Sequence, residues 1–191
     1  MKNNFQIGDV VRNSDSSPLM TIIGLPPSLG LYDAECIWWD DEKHDFVSDT
    51  FPIQCLQFVR HNVVYTNLQI GDVVQLASGS PQLTVCRLGK SSPIYNNPNI
   101  LMPSSPGLNE VECIWWDDEK HNFANNIFPI PCLQFIRHRK PINLHLNDVV
   151  KLTSGSPYFT ITSIYNGELS LVEVQYPEKS HNDFDMNLFE K

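Results

Sequence analysis

The stretch ECIWWDDEKH occupies residues 35–44 and returns, letter for letter, at residues 112–121. Its first half, ECIWW, is rich in residues that suit a pleated strand, and its second half, DDEK, has the polarity of a turn. Neighbours on a strand point to opposite faces. Cys36 and Trp38 therefore share one face, and Ile37 and Trp39 share the other. Trp38 and Trp115 are expected to anchor a core. Trp39 and Trp116 then need a second cover, because large apolar groups left in water are a liability. Either they pack between units or they meet a ligand or partner.

The identity extends outward. ECIWWDDEKHDFVSDTFPIQCLQFVRH and ECIWWDDEKHNFANNIFPIPCLQFIRH agree at 20 of 27 positions. Upstream, IGDVVRNSDSSPLMTI, IGDVVQLASGSPQLTV and LNDVVKLTSGSPYFTI form a second block that occurs three times. Such repeats imply tandem units, with boundaries expected at residues 1–62, 63–140 and 141–191. Each unit reads as five short strands. The SGSP turns place Gly79 and Gly155 where positive φ is needed, and Pro81 and Pro157 at the exit. Asp9, Asp72 and Asp148 are expected to hold turns through side-chain to backbone bonds. No segment carries a helical period. The fold class is all-β: three tandem small SH3-like β-barrel units, the third truncated.

The third unit ends differently. Aligned loosely, Glu173 falls on Glu35, Val174 on Cys36, Tyr176 on Trp38, Phe184 on Phe46 and Phe189 on Phe51. On that alignment the FPIxCLQF ending is absent, so the unit lacks its last strand or borrows one. Strand borrowing would allow a homo-oligomer. The second unit carries an insertion, residues 90–107, dense in Pro, Asn and Ser, which reads as a loop.

These motifs carry a resemblance. GDVV, then SGSP-x-L/F-T, then CIWW and FPI-x-CL, together resemble the YodC-like family of small uncharacterised bacterial proteins. That family shows a GDVV, a Ser-Gly-Gly-Pro-x-Met-Thr-Val stretch, a Cys-x-Trp-Phe and a closing Phe. Met20 fits the pattern, Leu83 and Phe159 replace that methionine, and Trp39 and Trp116 stand where the family often has Phe. The resemblance implies a small β-rich module, here in triplicate, with no catalytic residues.

Composition narrows the function classes. The chain has 191 residues, a net charge of -9 and 41% hydrophobic residues. Nucleic-acid affinity needs a basic surface, so nucleic acid is not an expected partner. No apolar run approaches a membrane span, and MKNNFQIGDVV has no apolar core of a signal peptide. Five cysteines, an odd number, fit reduced thiols in a cytoplasmic setting. Cys36 with Cys55, and Cys113 with Cys132, read as structural thiols. Asp40, Asp41 and Glu42 with His44 read as a solvated turn, since ligands at consecutive tip positions diverge. No metal, cofactor or catalytic motif is expected. The favoured reading is a non-enzymatic module that engages a protein or peptide through exposed aromatics or a sheet edge. The alternative is a small-molecule or nucleotide site between repeats, acting in sensing or sequestration. Candidate contact residues are Trp39, Trp116, Tyr95, His44 and His121.

Overall fold

The computed structural model describes residues 4–25, 33–89, 106–174 and 180–191. Three antiparallel five-stranded sheets follow one another along the chain. The first contains β1 (Val10–Arg12), β2 (Met20–Gly24), β3 (Asp33–Asp40), β4 (Asp45–Pro52) and β5 (Gln57–Arg60). The second contains β6 (Val73–Leu76), β7 (Leu83–Leu88), β8 (Glu110–Asp117), β9 (Asn122–Pro129) and β10 (Leu133–Arg137). In each, four consecutive strands form a meander and the fifth returns beside the first. Single 3-10 turns at Ile53–Cys55, Ile130–Cys132 and Met186–Leu188 precede the fifth strands. Among the described residues no helix is long and apolar enough to cross a membrane.

The GDVV aspartates close the entry turns. Asp9, Asp72 and Asp148 accept the backbone N–H of Gln6, Gln69 and His145 at 2.9, 2.9 and 2.7 Å. In the first two units a histidine from the far end of the same unit joins the buried carboxylate. His61 Nδ1 lies 2.7 Å from Asp9 Oδ1, and His138 Nδ1 lies 2.9 Å from Asp72 Oδ1.

The third sheet corrects the sequence alignment. It contains β11 (Val149–Leu152), β12 (Phe159–Tyr165), β13 (Glu168–Glu173), β14 (Ser180–Asp185) and β15 (Phe189–Glu190). The last strand is not missing. It is reduced to two residues, and it pairs with β11 through Lys151↔Glu190 and Leu152↔Phe189. The register also differs. Thr160 faces Val172 as Thr21 faces Ile37, so Leu171 stands at the Cys36 position and Glu173 at the Trp38 position. Leu169 faces Phe184 as Ala34 faces Phe51, which moves Phe184 to the Phe51 position and Phe189 to that of Leu56. The physical reason is parity: Leu169 and Leu171 alternate inward, and the Asn166-Gly167 turn between β12 and β13 sets their phase.

The three cores are not separate. Ile37, on the outer face of β3, is 5% exposed and belongs to the core of the second unit, joined there by Trp39, Phe46 and Ile23. One junction later Ile114, Trp116 and Phe123 enter the core of the third unit in the same way. The back of one sheet therefore lids the next unit. Polar contacts repeat as well: Thr21 Oγ1 and Ser78 Oγ are 2.9 Å apart, and Thr84 Oγ1 and Ser154 Oγ are 2.8 Å apart. Arg60 donates to the Ala77 carbonyl and Arg137 to that of Thr153.

Glycine is required where the units touch. A Cβ on Gly8 would lie 2.1 Å from the Pro131 carbonyl oxygen, and one on Gly71 would lie 2.2 Å from that of Asn187. The third unit has Asn147 at this position, with φ of 67°. Gly155 also has positive φ, 107°, but open space in front of it. Gly155→Ala is thus expected to lower stability by about 1–2 kcal/mol, the strain of a left-handed backbone alone. Gly71→Ala should lower it by more, because a junction carbonyl must also move. Urea unfolding of the two variants measures the difference, and equal losses would contradict the close approach.

Candidate functional site

The repeated decapeptide forms a hairpin whose tip is fixed by its first acid. Asp40 Oδ1 accepts the backbone N–H of Glu42 and Lys43 at 3.0 and 3.1 Å, and Asp117 Oδ1 accepts those of Glu119 and Lys120 at 3.0 Å each. The Lys43 ammonium beside Asp40 holds that carboxyl below its ordinary range. Burial works against the charge of Asp117, yet the backbone and ammonium of Lys120 hold it low as well. His44 and His121 follow with φ of 48° and 47°, closing each turn in the left-handed region.

The five candidate residues have different fates. His44 Nε2 lies 3.2 Å from Glu119 Oε1, so it links the hairpin tips of the first two units. Lys120 adds a longer approach to Asp45, 3.8 Å. His121 holds the equivalent turn of the second unit. Tyr95 lies outside the described residues. Trp39 and Trp116 are packed between units. Trp39 meets Phe46 and Trp115 with ring centroids 5.0 and 6.3 Å away, and Trp116 meets Phe123 and Phe159 at 5.1 and 5.5 Å. Trp116 is 8% exposed and Trp115 4%, while Trp39 is half-buried.

Packing does not use up the second tryptophans. Each also walls a groove that opens at its junction. The groove between the first two units, about 500 Å³, is lined by Pro18, Leu19, Trp39, Asp41 and the turn Ser78, Gly79, Ser80 and Pro81. The next, about 430 Å³, is lined by Pro81, Gln82, Trp115, Trp116, Asp118 and the turn Ser154, Gly155, Ser156 and Pro157. The two are built from equivalent positions, and Pro81 belongs to both. They are neighbours along one face. The indole N–H groups of Trp115 and Trp116 are buried without a hydrogen-bond acceptor among the described residues. Ser80 and Ser156 are engaged within their own turns: each hydroxyl accepts a backbone N–H, from Leu76 and Leu152, and donates to the carbonyl of the following proline.

A larger cavity, about 760 Å³, lies elsewhere on the junction of the second and third units. Arg87, Glu112, Asn122, Phe123, Asn125 and Phe184 are among the residues that line it. Arg87 and Glu112 are paired at 3.2 Å. In the third unit Glu173, at the Trp38 position, is fully buried with both carboxylate oxygens unpartnered among the described residues. No three His, Cys, Asp or Glu side chains converge as a metal site among the described residues.

In the sequence SGSP has turn chemistry and DDEK that of a solvated tip. What the local pattern does not show is that Asp41 and Asp118 share a groove with those turns across a junction. The available signal was recurrence itself: both elements sit at fixed places in a repeat, so their contact recurs too.

The cysteines are all free. Cys36, Cys113 and Cys132 are buried, Cys86 is partly so, and Cys55 is exposed. Burial pushes the thiols of Cys36, Cys86 and Cys132 up to about 12, and that of Cys113 well above its ordinary value. In the native protein at pH 8 a thiol-reactive dye should therefore label Cys55 first, Cys86 more slowly, and the three buried cysteines only on unfolding. Because the folded state holds these thiols neutral, their stabilisation is complete below the ordinary value of 9.0. It is lost as pH rises from there toward about 12, which a melting series in alkali would record. Equal labelling of all five at pH 8 would contradict the burial.

No curated protein matches this chain. Residues 69–131, which run from the turn before β6 into the Ile130–Cys132 turn, match a family described as Uncharacterized small protein (DUF2158).

Proposed function

We propose that the chain is a non-enzymatic binding protein that holds a peptide segment of a partner protein in its two junction grooves. The observation that carries this reading is the duplication of one groove from equivalent residues, contiguous through Pro81. A repeated, aligned pair of shallow sites suits an extended ligand that crosses both. The contact is made by partly covered tryptophans at a junction rather than by freely exposed ones. Five free cysteines, four of them buried or partly so, support a reducing, cytoplasmic setting. The strand order supports an SH3-like reading of each unit. The family match in the second unit, with the same sheet order on either side, supports three YodC-like copies.

A small polar ligand in the larger cavity is the second reading, favoured by the Arg87–Glu112 pair in its lining. Glu112, Glu168 and Asp185 also line it, which opposes a phosphate-bearing ligand.

Selection of peptides from a random display library against the intact chain, followed by titration, tests the first reading. Leu19→Arg and Gln82→Arg change exposed groove residues and should shift stability by no more than about 0.5 kcal/mol. They are expected to weaken selected peptides about ten-fold or more, roughly 1.4 kcal/mol. Selected peptides that bind both variants normally would place the site elsewhere. A thermal shift with a small-molecule panel, lost in Arg87→Ala, would favour the second reading.

A further inference from the structure

The chemistry of the groove walls narrows the ligand further, and the following rests on the peptide-binding reading above. An added β-strand needs a row of unpaired backbone N–H and C=O groups. The grooves do not offer one. Pro18, Pro81 and Pro157 have no N–H to give, and the Ser80 and Ser156 hydroxyls are already bonded. What remains is ring surface from tryptophan and proline, and one exposed carboxylate per groove.

That set is complementary to one backbone form. A polyproline II segment makes no internal hydrogen bonds and leaves its carbonyls outward as acceptors. Its pyrrolidine rings present flat apolar faces to aromatic walls, and its stiffness lowers the entropy lost on docking. The carboxylates of Asp41 and Asp118, in a chain of net charge -9, favour a cation in the ligand. These two acids are free for that role, since the hairpin tips are held by Asp40 and Asp117 instead.

We infer that the paired junction grooves recognise a proline-rich segment in the polyproline II conformation, its rings against Trp39 and Trp116 and an Arg or Lys against Asp41 or Asp118.

Fluorescence anisotropy of labelled synthetic peptides on the intact chain tests it. The first probe carries repeated Pro-Pro pairs with arginines. In the second alanine replaces proline, and in the third glutamate replaces arginine. The first should bind with tryptophan quenching, and each of the others should lose about ten-fold or more in affinity. Asp41→Asn with Asp118→Asn should abolish the preference for arginine over glutamate and flatten the salt dependence, with melting unchanged. Equal binding of the alanine and proline probes would overturn the inference and leave peptide binding intact. If no peptide from a random library binds, the reading beneath it fails as well. Dimerisation on light scattering that Leu19→Arg abolishes would give the grooves to a second copy and overturn the proposal.

Discussion

The structure depends on one contact made twice: an aromatic pair on the back of one sheet fills the core of the next unit. Trp39 and Phe46 do so for the second unit, and Trp116 and Phe123 for the third. Phe46 stands 5.2 Å from Trp115 and 4.9 Å from Phe128. Phe123 stands 5.3 Å from Phe159 and 4.6 Å from Phe184. Small domains bury too little surface to be stable alone with ease. Sharing a lid between neighbours removes that difficulty, as in stacked repeat proteins. Truncation of such a ring in a core is worth about 3–5 kcal/mol.

The first and third units depart from the repeat on the faces that no described unit covers. Leu76 and Leu152 are fully buried, yet the first unit has exposed Asn13 at that position. Ser78 and Ser154 contact the preceding unit, and the first unit has Asp15 there, paired with Arg12. At the other end Val174 occupies the site of Trp39 and Trp116, and Asn147 that of Gly8 and Gly71. Polar or smaller residues at these positions leave both faces without the lid and socket pair that joins the units.

The grooves are a by-product of the same arrangement. A lid that tucks an indole beneath the next unit's SGSP turn leaves a cleft beside that turn. Its walls are then fixed by folding: Trp, Pro, Gly and Ser from turns, and an acid from a hairpin tip. The walls are mixed, with tryptophan and proline rings set among serines and one acid per groove.

The sequence by itself determined the all-β class, the repeat, the turn aspartates, the two faces of ECIWW and the assignment of Trp115 to a core, whereas Trp38 is only half-buried against the first one. Those follow from local periodicity and from residues whose backbone preferences are strong. It did not determine the phase of β13, because alternation leaves two registers of similar appeal and the Asn166-Gly167 turn had to choose between them. Nor did it determine what covers Trp39 and Trp116, or that Asp41 and Asp118 look onto the turns of another unit. Those are relations between residues tens of positions apart, with a histidine–glutamate link at the hairpin tips and glycines that admit a carbonyl from the next unit. Chain periodicity carries no such distances. They exist only once one sheet has been laid on the next.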